Sequence, residues 1–303
     1  MSSRVLLDTS SLMYRAFFSM PSTVTGEGGQ PVNAVHGYLD MTARLIGSRH
    51  PDRVVHVYDD DWRPAPRVAA YAGYKANRAP DPQGLPEQFG FLREILDAFG
   101  FAQADAPGWE AEDAIGALCS RSHQGTTTDI VTGDRDLIQL VHDPVVRVLF
   151  TLRGVTELRI LDEAGVLAKY GVPASRYAEF ATLRGDPSDG LPGVRGVGEK
   201  TARVLVGAYP SLTALVDDAL AGKRIGAPLQ RSPALRAAIR ESVEYLEAMR
   251  LVVPIRTDVP VRQWERARDD ATLESLGERY RVGGPIRRLR AVQAGLVQDP
   301  EET

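Results

Sequence analysis

Short apolar runs alternate with amphipathic stretches through the first two thirds of the chain. The runs Val5–Leu7, Val54–Tyr58 and Asp129–Thr132 have the length of strands, and an aspartate follows each within two residues. Stretches with the apolar spacing of a helix lie between them, at residues 33–48, 86–98 and 110–122. This alternation predicts an α/β fold, in which helices flank a mostly parallel sheet.

The pattern changes after the third strand. Residues 145–160 predict a β-hairpin that turns near Gly154, and shorter segments separated by glycine and proline follow Leu161. Further helices are predicted at residues 199–208, 211–220 and 233–250. We therefore divide the chain into residues 1–173, residues 174–260 and a polar, arginine-rich segment 261–303.

Acidic residues concentrate where predicted strands end and predicted helices begin. They are Asp8, Asp59, Glu110, Glu112, Asp113, Asp134, Asp136, Asp186 and Asp189. Any one of them could be a helix cap or part of an acidic first turn. Together they predict metal binding, because parallel strands end at one edge of the sheet and crowded carboxylates stay ionised only when cations neutralise them. Oxygen ligands without a histidine or cysteine cluster favour Mg²⁺ or Mn²⁺, and paired ions of this kind cut phosphodiesters.

Composition narrows the class of protein. Of 303 residues, 43% are hydrophobic and 25% charged, which is typical of a globular chain and excludes global disorder. The single cysteine, Cys119, excludes an internal disulfide framework and a multi-cysteine zinc site. The sequence shows neither a signal peptide nor a long apolar run, so we expect a cytoplasmic protein without a membrane span. A net charge of −4 argues against a nucleic-acid partner only if the acids are spread evenly, and they are clustered.

Aromatic and basic side chains are interleaved in RVAAYAGYKANR, residues 67–78. Tyr71, Tyr74, Lys75 and Arg78 recur at helical spacing, which predicts a helix that carries all four on one face. Such a face binds single-stranded nucleic acid through stacking and charge. The alternative is an ordinary solvated helix with partly packed tyrosines.

A glycine-rich segment, GVRGVGEKTA at residues 193–202, leads into a predicted helix. Glycines let backbone N–H groups approach phosphates, and the start of a helix attracts them. Thr201 stands where a dinucleotide fingerprint needs its last glycine, and no strand precedes the segment. The segment is therefore a phosphate-binding candidate or a turn between domains.

Five stretches of the chain resemble the bacterial 5′-nuclease family, which includes the 5′→3′ exonuclease domain of DNA polymerase I, free-standing 5′→3′ exonucleases and flap endonucleases. They are LLDTSSLMYR (6–15), YAGYKANRAP (71–80), GWEAEDAI (108–115), VTGDRDLIQL (131–140) and LRGDPSDGLPGVRGVGEKTA (183–202). They occur in the family's order across residues 1–250, and the last is the most specific.

The resemblance implies a PIN-like nuclease domain at residues 1–173, with a helical arch near residues 62–90, and a helix–three-turn–helix DNA-binding region at residues 174–260. It implies that the nine acids surround two divalent ions, and that Lys75, Arg78 and Arg15 act at the scissile phosphate. It implies DNA contacts at Tyr74, Arg195, Gly196, Gly198, Lys200 and Thr201. A K⁺ ion is a further expectation at the glycine hairpin 193–198.

The resemblance also implies the reaction. A monomer would cleave DNA that has a free 5′ end, a flap or a junction, RNA-primed DNA included. The products would carry a 5′-phosphate and a 3′-hydroxyl, and the role would lie in replication and repair. No role is predicted for residues 261–303.

The chain departs from the family pattern after the second strand. The family commonly has seven positions between the strand-end aspartate and the arginine that precedes the arch. Here Asp59 lies eight positions before Arg67, and Asp60 lies seven before it. Asp59 is preferred because it directly follows the apolar strand, and Asp60 is the alternative. Glu112 stands where the family often has aspartate.

Two other classes of function stay open. The triplet Asp59-Asp60-Asp61 after an apolar strand is similar to the nucleophile motif of an aspartyl phosphatase, although that reading leaves the glycine hairpin without a purpose. A DNA-binding module without catalysis is the second alternative, which the filled acidic positions oppose.

Overall fold

A computed structural model describes residues 2–121, 125–221 and 227–294. Its strands are β1 (Ser2–Asp8), β2 (Arg53–Val57), β3 (Ala102–Asp105), β4 (Thr126–Thr132), β5 (Val146–Arg153), β6 (Glu157–Leu161) and β7 (Arg262–Trp264). The helices of the first half are α1 (Thr9–Ser19), α2 (Asn33–Arg49), α3 (Ala65–Ala70), α4 (Leu85–Phe99) and α5 (Ala111–Ser120). Those of the second half are α6 (Glu163–Tyr170), α7 (Tyr177–Arg184), α8 (Glu199–Ala208), α9 (Leu212–Ala221), α10 (Ala227–Arg231), α11 (Pro233–Glu241), α12 (Val243–Val252), α13 (Asp270–Arg279) and α14 (Gly283–Gln293).

The seven strands lie in the order β6-β5-β4-β1-β2-β3-β7. The five central strands are parallel, and β6 and β7 are antiparallel at the two edges. The predicted α/β fold is confirmed, and so is the hairpin, in which Gly154 turns with a φ of 57°. The apolar pattern of the sequence does not predict the strands β3 and β7.

Alternation along the central strands divides the core into two layers. Leu6 of β1 and Ile130 of β4 pack with α5 and the second-half helices on one face of the sheet. Leu7 and Val131, the next residues of the same strands, pack with α1, α2 and α4 on the other face. Because both faces are buried there, β1 is apolar from Val5 to Leu7 and β4 is apolar at Ile130 and Val131, without the alternation of a half-exposed strand.

The helices α6 to α12 form the helical region of the protein. In this region one predicted helix proves to be two. The helix expected at residues 233–250 is interrupted at Ser242, where α11 ends and α12 begins. The Ser242 N–H still donates to the Ala238 carbonyl at 3.1 Å, but its φ and ψ of −98° and 9° leave the helical region. The break lets α12 pack against α3 and α7.

The segment after α3 is a turn, so the prediction of a helix carrying Tyr71, Tyr74, Lys75 and Arg78 on one face is wrong. The helix ends at Ala70, Tyr71 is extended with a φ of −149°, and Lys75 is left-handed with a φ of 50°. The Lys75 N–H donates to the Asp189 carbonyl at 2.9 Å. This contact with the second half of the chain takes the place of a hydrogen bond within a helix.

Residues 261–294 pack onto the first half of the chain. β7 pairs with β3, while α13 packs on α4 and α14 packs on α2. Arg262 pairs with Asp105 at 2.7 Å, and Arg288 pairs with Asp40 at 2.7 Å. The segment to which the sequence assigned no role therefore closes one edge of the sheet. Its last residues, 295–303, lie outside the described residues.

Among the described residues, no single helix is long and apolar enough to cross a membrane. Only α8 and α9 taken together reach that length and composition, and they are bent by 89° relative to each other. Leu205 of α8 and Leu215 of α9 are buried in the core of the helical region.

Candidate active site

An acidic crevice of about 350 Å³ opens at the carboxyl ends of the central strands, where the sheet meets the helical region. Eight of the nine predicted acids line it: Asp8, Asp59, Glu110, Glu112, Asp134, Asp136, Asp186 and Asp189. The fold thus brings together carboxylates that lie far apart in the sequence.

Strand ends and neighbouring turns position the first two acids. Asp8 ends β1, where it accepts the Ser11 N–H at 3.2 Å and the Thr132 hydroxyl at 2.6 Å. Asp59 follows β2 closely and accepts the Ala111 N–H at 2.7 Å. Because all three donors are neutral, these bonds fix the carboxylates at the crevice without neutralising their charge.

The next residue, Asp60, points away from the crevice. Its carboxylate accepts the Gly108 N–H at 2.8 Å and an Arg262 guanidinium N–H at 3.1 Å, and it does not line the cavity. The structure therefore places Asp59, and not Asp60, among the crevice acids.

Three acids at the start of α5 surround one buried guanidinium, that of Arg67. This side chain has no exposed surface, and it pairs with Glu110, with Glu112 at 3.0 Å and with Asp113 at 2.8 Å. One oxygen of each acid lies within 4.8 Å of the other two, a grouping that could also hold a metal ion. In the sequence, Arg67 is noticed only as the arginine that precedes the arch. The signal for its role is the grouping of Glu110, Glu112 and Asp113 within four residues, which favours a nearby cation.

Asp113 differs from the other acids because it lies behind the crevice. Both of its oxygens accept from Arg67, and one also accepts the Arg256 N–H at 2.9 Å. Asp113 is fully buried and does not line the cavity. In this structure it holds Arg67 under the site, and its role as a metal ligand stays a prediction.

Two tight turns carry the remaining four acids. The Asp134 carboxylate accepts the Asp136 N–H at 2.9 Å. The Asp186 carboxylate accepts the Ser188 N–H at 3.0 Å, and Asp189 closes the same turn. In each turn the first carboxylate accepts a backbone N–H from two residues further on. This bond keeps the turn tight, and both acids of each turn line the crevice.

Burial and neighbouring carboxylates raise the pKa of Asp8, Asp136 and Asp189 and so disfavour their ionised forms. Burial, with the like charges of Asp59 and Asp134, raises the pKa of Asp8 to about 7. Burial, partly offset by the Lys75 charge, raises the pKa of Asp189 to about 6. Cations bound among the carboxylates would relieve both effects. Because all of these ligand atoms are carboxylate oxygens, the ions that fit the crevice are Mg²⁺ or Mn²⁺.

We expect the crevice acids to make the metal-free protein lose stability as the pH rises from about 5 to about 8. The folded-state pKa of Asp8, about 7, exceeds the value near 4 of an unfolded aspartate. The folded state therefore binds this proton more tightly, and stability falls as pH rises through that window. In EDTA, Asp8→Asn should gain stability relative to the wild type as pH rises, by up to a few kcal/mol at about 1.4 kcal/mol per pKa unit. Urea unfolding at the two pH values measures this.

The matched control is Asp217→Asn on the exposed surface of α9, whose difference from the wild type should not change with pH. At the higher pH, Mg²⁺ should stabilise the wild type more than it stabilises Asp8→Asn. A constant difference between wild type and Asp8→Asn across the window would contradict the expected strain at Asp8.

Lys75 and Arg78 line the crevice, whereas Tyr74 is buried beneath it. Lys75 is 8% exposed and pairs with Glu110. Arg78 is exposed and forms no ion pair with any residue in the described ranges. Tyr74 is 3% exposed, and its hydroxyl donates to Glu110 at 2.6 Å. In this structure the Tyr74 ring is covered and offers no face for stacking, so a DNA contact at Tyr74 stays a prediction.

Arg15 lies beside the crevice and does not line it. Its guanidinium donates to the Leu152 carbonyl of β5 at 3.4 Å and lies close to Gly133. A role at the scissile phosphate stays a prediction for Arg15.

In the glycine hairpin 193–198, the backbone is open at Gly196 and Gly198, just before α8. Gly196 has a φ of 76°, a conformation that favours glycine. No atom lies within 4 Å of the position where Gly196 or Gly198 would carry a side chain. A phosphate could therefore approach the backbone here, and the K⁺ ion at this hairpin stays a prediction.

The side chains predicted beside this hairpin are mostly accessible. Lys200 is exposed and Thr201 is half-buried in the first turn of α8. Arg195 is exposed and pairs with Glu241 at 3.3 Å. An exposed ion pair of this kind is weak, so Arg195 is available to a DNA phosphate.

Comparison with known proteins identifies two matched domains in this chain. The chain matches the 5′-3′ exonuclease N-terminal resolvase-like domain over residues 3–171 and the 5′-3′ exonuclease C-terminal SAM fold over residues 172–273. A 5′-3′ exonuclease of Streptomyces coelicolor is 42% identical over 94% of this chain and 98% of its own length. One of Mycobacterium tuberculosis is 43% identical over 85% of each.

A solved structure shares the fold. The bacteriophage T5 flap endonuclease, in a pseudo-enzyme–product complex with DNA and metal ions, has a TM-score of 0.63 at 17% identity, over 96% of this chain and 99% of that one. The crevice is built from both matched domains, since Asp8 belongs to the first and Asp189 to the second. This chain is a nuclease and belongs to the 5′-3′ exonuclease family.

Proposed function

We propose that this nuclease is a structure-specific 5′ nuclease that hydrolyses DNA phosphodiesters with two divalent ions, Mg²⁺ or Mn²⁺, as exonuclease and flap endonuclease. The products carry a 5′-phosphate and a 3′-hydroxyl, and the role lies in replication and repair. The observation that carries the proposal is the crevice, in which eight carboxylates from both domains converge beside Lys75 and Arg78.

The crevice residues divide the chemistry between them. When bound, two divalent ions supply an ionised water as nucleophile and neutralise the leaving 3′ oxygen. Asp8 and Asp59 would hold the ions from the sheet, and Asp189 would hold them from the helical region. Lys75 and Arg78 stabilise the charge that develops on the phosphate. Because Lys75 pairs with Glu110 in the free protein, substrate binding exchanges one ion pair for another.

The aspartyl phosphatase alternative loses support from the loop after β2. Asp60 turns toward Arg262, and the Asp61 carboxylate accepts the Arg63 N–H at 2.9 Å. Of the three consecutive aspartates, only Asp59 lines the crevice, so no second carboxylate of the triplet lies beside a nucleophile. A stable acyl phosphate trapped at Asp59 would revive that alternative.

DNA is the substrate that the surface around the crevice fits best. The open backbone of the glycine hairpin and the exposed Lys200 suit the phosphates of a duplex, and neither reads a base. The T5 flap endonuclease holds DNA and metal ions on the same fold. Specificity then comes from the shape of the DNA: a free 5′ end, a flap or a junction.

A panel of 5′-labelled flap, nicked, blunt and single-stranded DNAs tests the proposal. We expect Mg²⁺ or Mn²⁺ to support cleavage, with flap and nicked substrates preferred and a 5′-phosphate on each new end. EDTA should abolish cleavage. Cleavage that persists in EDTA in a purified preparation would rule out the metal mechanism, and binding without any cleavage would favour the non-catalytic alternative.

Lys200→Ala should weaken DNA binding equally on all sequences. Counterion release makes log K fall with log salt by about 0.9 per neutralised phosphate, so loss of Lys200 should flatten that slope by roughly one. Fluorescence anisotropy in Ca²⁺ at several salt concentrations measures the slope. Lys169→Ala on α6 removes the same charge elsewhere and should leave the slope unchanged. A loss confined to one DNA sequence would contradict a backbone contact.

A further inference from the structure

A second cavity, of about 520 Å³, adjoins the acidic crevice, and the proposed hydrolysis makes no use of it. The two cavities share four lining residues: Ser10, Tyr14, Asp59 and Arg78. A molecule seated in the crevice can therefore extend into the second cavity past Arg78. Cavities of this volume accept small organic groups.

Aromatic and apolar side chains form much of the second cavity's wall. Trp62 is 48% exposed, and it lines the cavity with Phe89 and Pro80. The Trp62 ring therefore has surface that a ligand in this cavity can contact. A flat aromatic ligand would cover it.

Two arginines, Arg78 and Arg93, place positive charge at this cavity. Arg93 lines it, with its guanidinium 4.3 Å from the centroid of the Tyr58 ring. Tyr58 is held in turn by a stacked contact with Trp264, 6.4 Å between centroids. Arg78 forms no ion pair within the described ranges. Stacked and exposed arginines are suited to bases and phosphates.

The acids that line the same cavity are engaged with the protein. Asp60 pairs with Arg262 and accepts the Gly108 N–H. Asp81 accepts the Tyr14 hydroxyl. The neutral donors leave the charges of Asp59 and Asp81 in place, so the surface open to a ligand is mainly aromatic, with Arg78 and Arg93 as its cations.

We propose that this second cavity binds the base of the unpaired nucleotide on the 5′ side of the scissile phosphate. The assignment rests on the proposed nuclease function, which places the phosphate in the crevice. The neighbouring phosphate passes Arg78, and the base lies against Trp62 and Phe89 beyond it. The cavity stacks a base without reading it, so every base fits and the missing base of an abasic site does not.

Gly90 gives a way to fill the cavity without touching the crevice. It lines the second cavity from α4, and no atom lies within 4 Å of the position where its side chain would begin. Gly90→Leu therefore occupies the cavity. Gly207→Leu is the matched control, because Gly207 is also helical and open but lies on α8.

Two flap DNAs that differ at one position form the test. One carries an ordinary nucleotide and the other an abasic residue on the 5′ side of the scissile phosphate. Loss of one stacked base should slow single-turnover cleavage by the wild type by about 5- to 150-fold. Gly90→Leu should cut both DNAs at the slow rate of the wild type on the abasic DNA. Gly207→Leu should discriminate as the wild type does.

Binding of the same two DNAs in Ca²⁺ separates this inference from the proposed function. If the protein cuts neither DNA but binds the ordinary flap more tightly, and Gly90→Leu removes the difference, the cavity assignment holds and the nuclease proposal fails. If the wild type cuts or binds both DNAs equally, the assignment is overturned. It is also overturned if Gly90→Leu discriminates as the wild type does.

Discussion

Asn in place of Asp136 is expected to lower the single-turnover rate of DNA cleavage by at least about 10²–10³. The carboxylate lies in the crevice beside Asp134 and Asp189, and burial with their like charges raises its pKa. Under the proposed mechanism, removing one negative charge would weaken the binding of the divalent ions. The same removal relieves repulsion, so the metal-free variant should unfold at a temperature equal to or above that of the wild type.

Rapid-quench cleavage with enzyme in excess measures the rate, and circular dichroism follows the fold. Asp217→Asn on the exposed surface of α9 is the control and should cut at the wild-type rate. Binding of flap DNA in Ca²⁺ shows whether the variant still recognises its substrate. A folded Asp136→Asn protein that cuts normally would show that the acid serves only the turn after β4.

Arg67→Ala should destabilise the protein by about 3–5 kcal/mol, the cost of removing one partner from a buried ion pair. The substitution would leave Glu110, Glu112 and Asp113 facing one another without a counter-charge, where a single guanidinium now pairs with all three. Arg67→Lys should restore little, because an ammonium cannot make the paired hydrogen bonds of a planar guanidinium to Asp113.

Urea unfolding in EDTA measures the loss. Arg288→Ala is the control, since Arg288 is 55% exposed and its pair with Asp40 should contribute no more than about 1 kcal/mol. Divalent ions should stabilise Arg67→Ala more than the wild type, because the three acids are close enough to share a cation. A loss as small as that of Arg288→Ala would mean that the buried cluster relaxes or takes up protons freely.

The strands β1 and β2 could be predicted from the sequence because each is a mainly apolar run followed by an acid, and the hairpin of β5 and β6 could be predicted from its turn at Gly154. The short strands β3 and β7 carry no apolar run and could not be predicted. In β3 the buried Gln103 accepts from the Tyr58 hydroxyl at 2.8 Å, and the buried Asp105 accepts from Arg262. The polarity of this strand is satisfied by partners that are distant in the chain, so local hydrophobicity carries no trace of it.

The sequence predicted which residues build the site, but it did not predict where their side chains point. The sequence favours Asp59 over Asp60 only because Asp59 directly follows the strand. Their different partners, the Ala111 N–H and the Gly108 N–H, hold them in different directions. The helical spacing of Tyr74 and Lys75 misled for a related reason. A tertiary hydrogen bond from the Lys75 N–H to Asp189 overrides the local preference for helix.

The packing of the chain's last helices on its first ones bears on how the protein is made. The Arg288–Asp40 contact joins residues 248 apart, and α14 covers α2 on the face opposite the helical region. During synthesis, α2 leaves the ribosome long before the helix that covers it. The apolar layer beneath β1 and β4 therefore stays incomplete until α14 has been synthesised, and closing so long a loop is slow. A chain that is released before residue 283 would carry every acid of the crevice but would lack the helix that covers this layer.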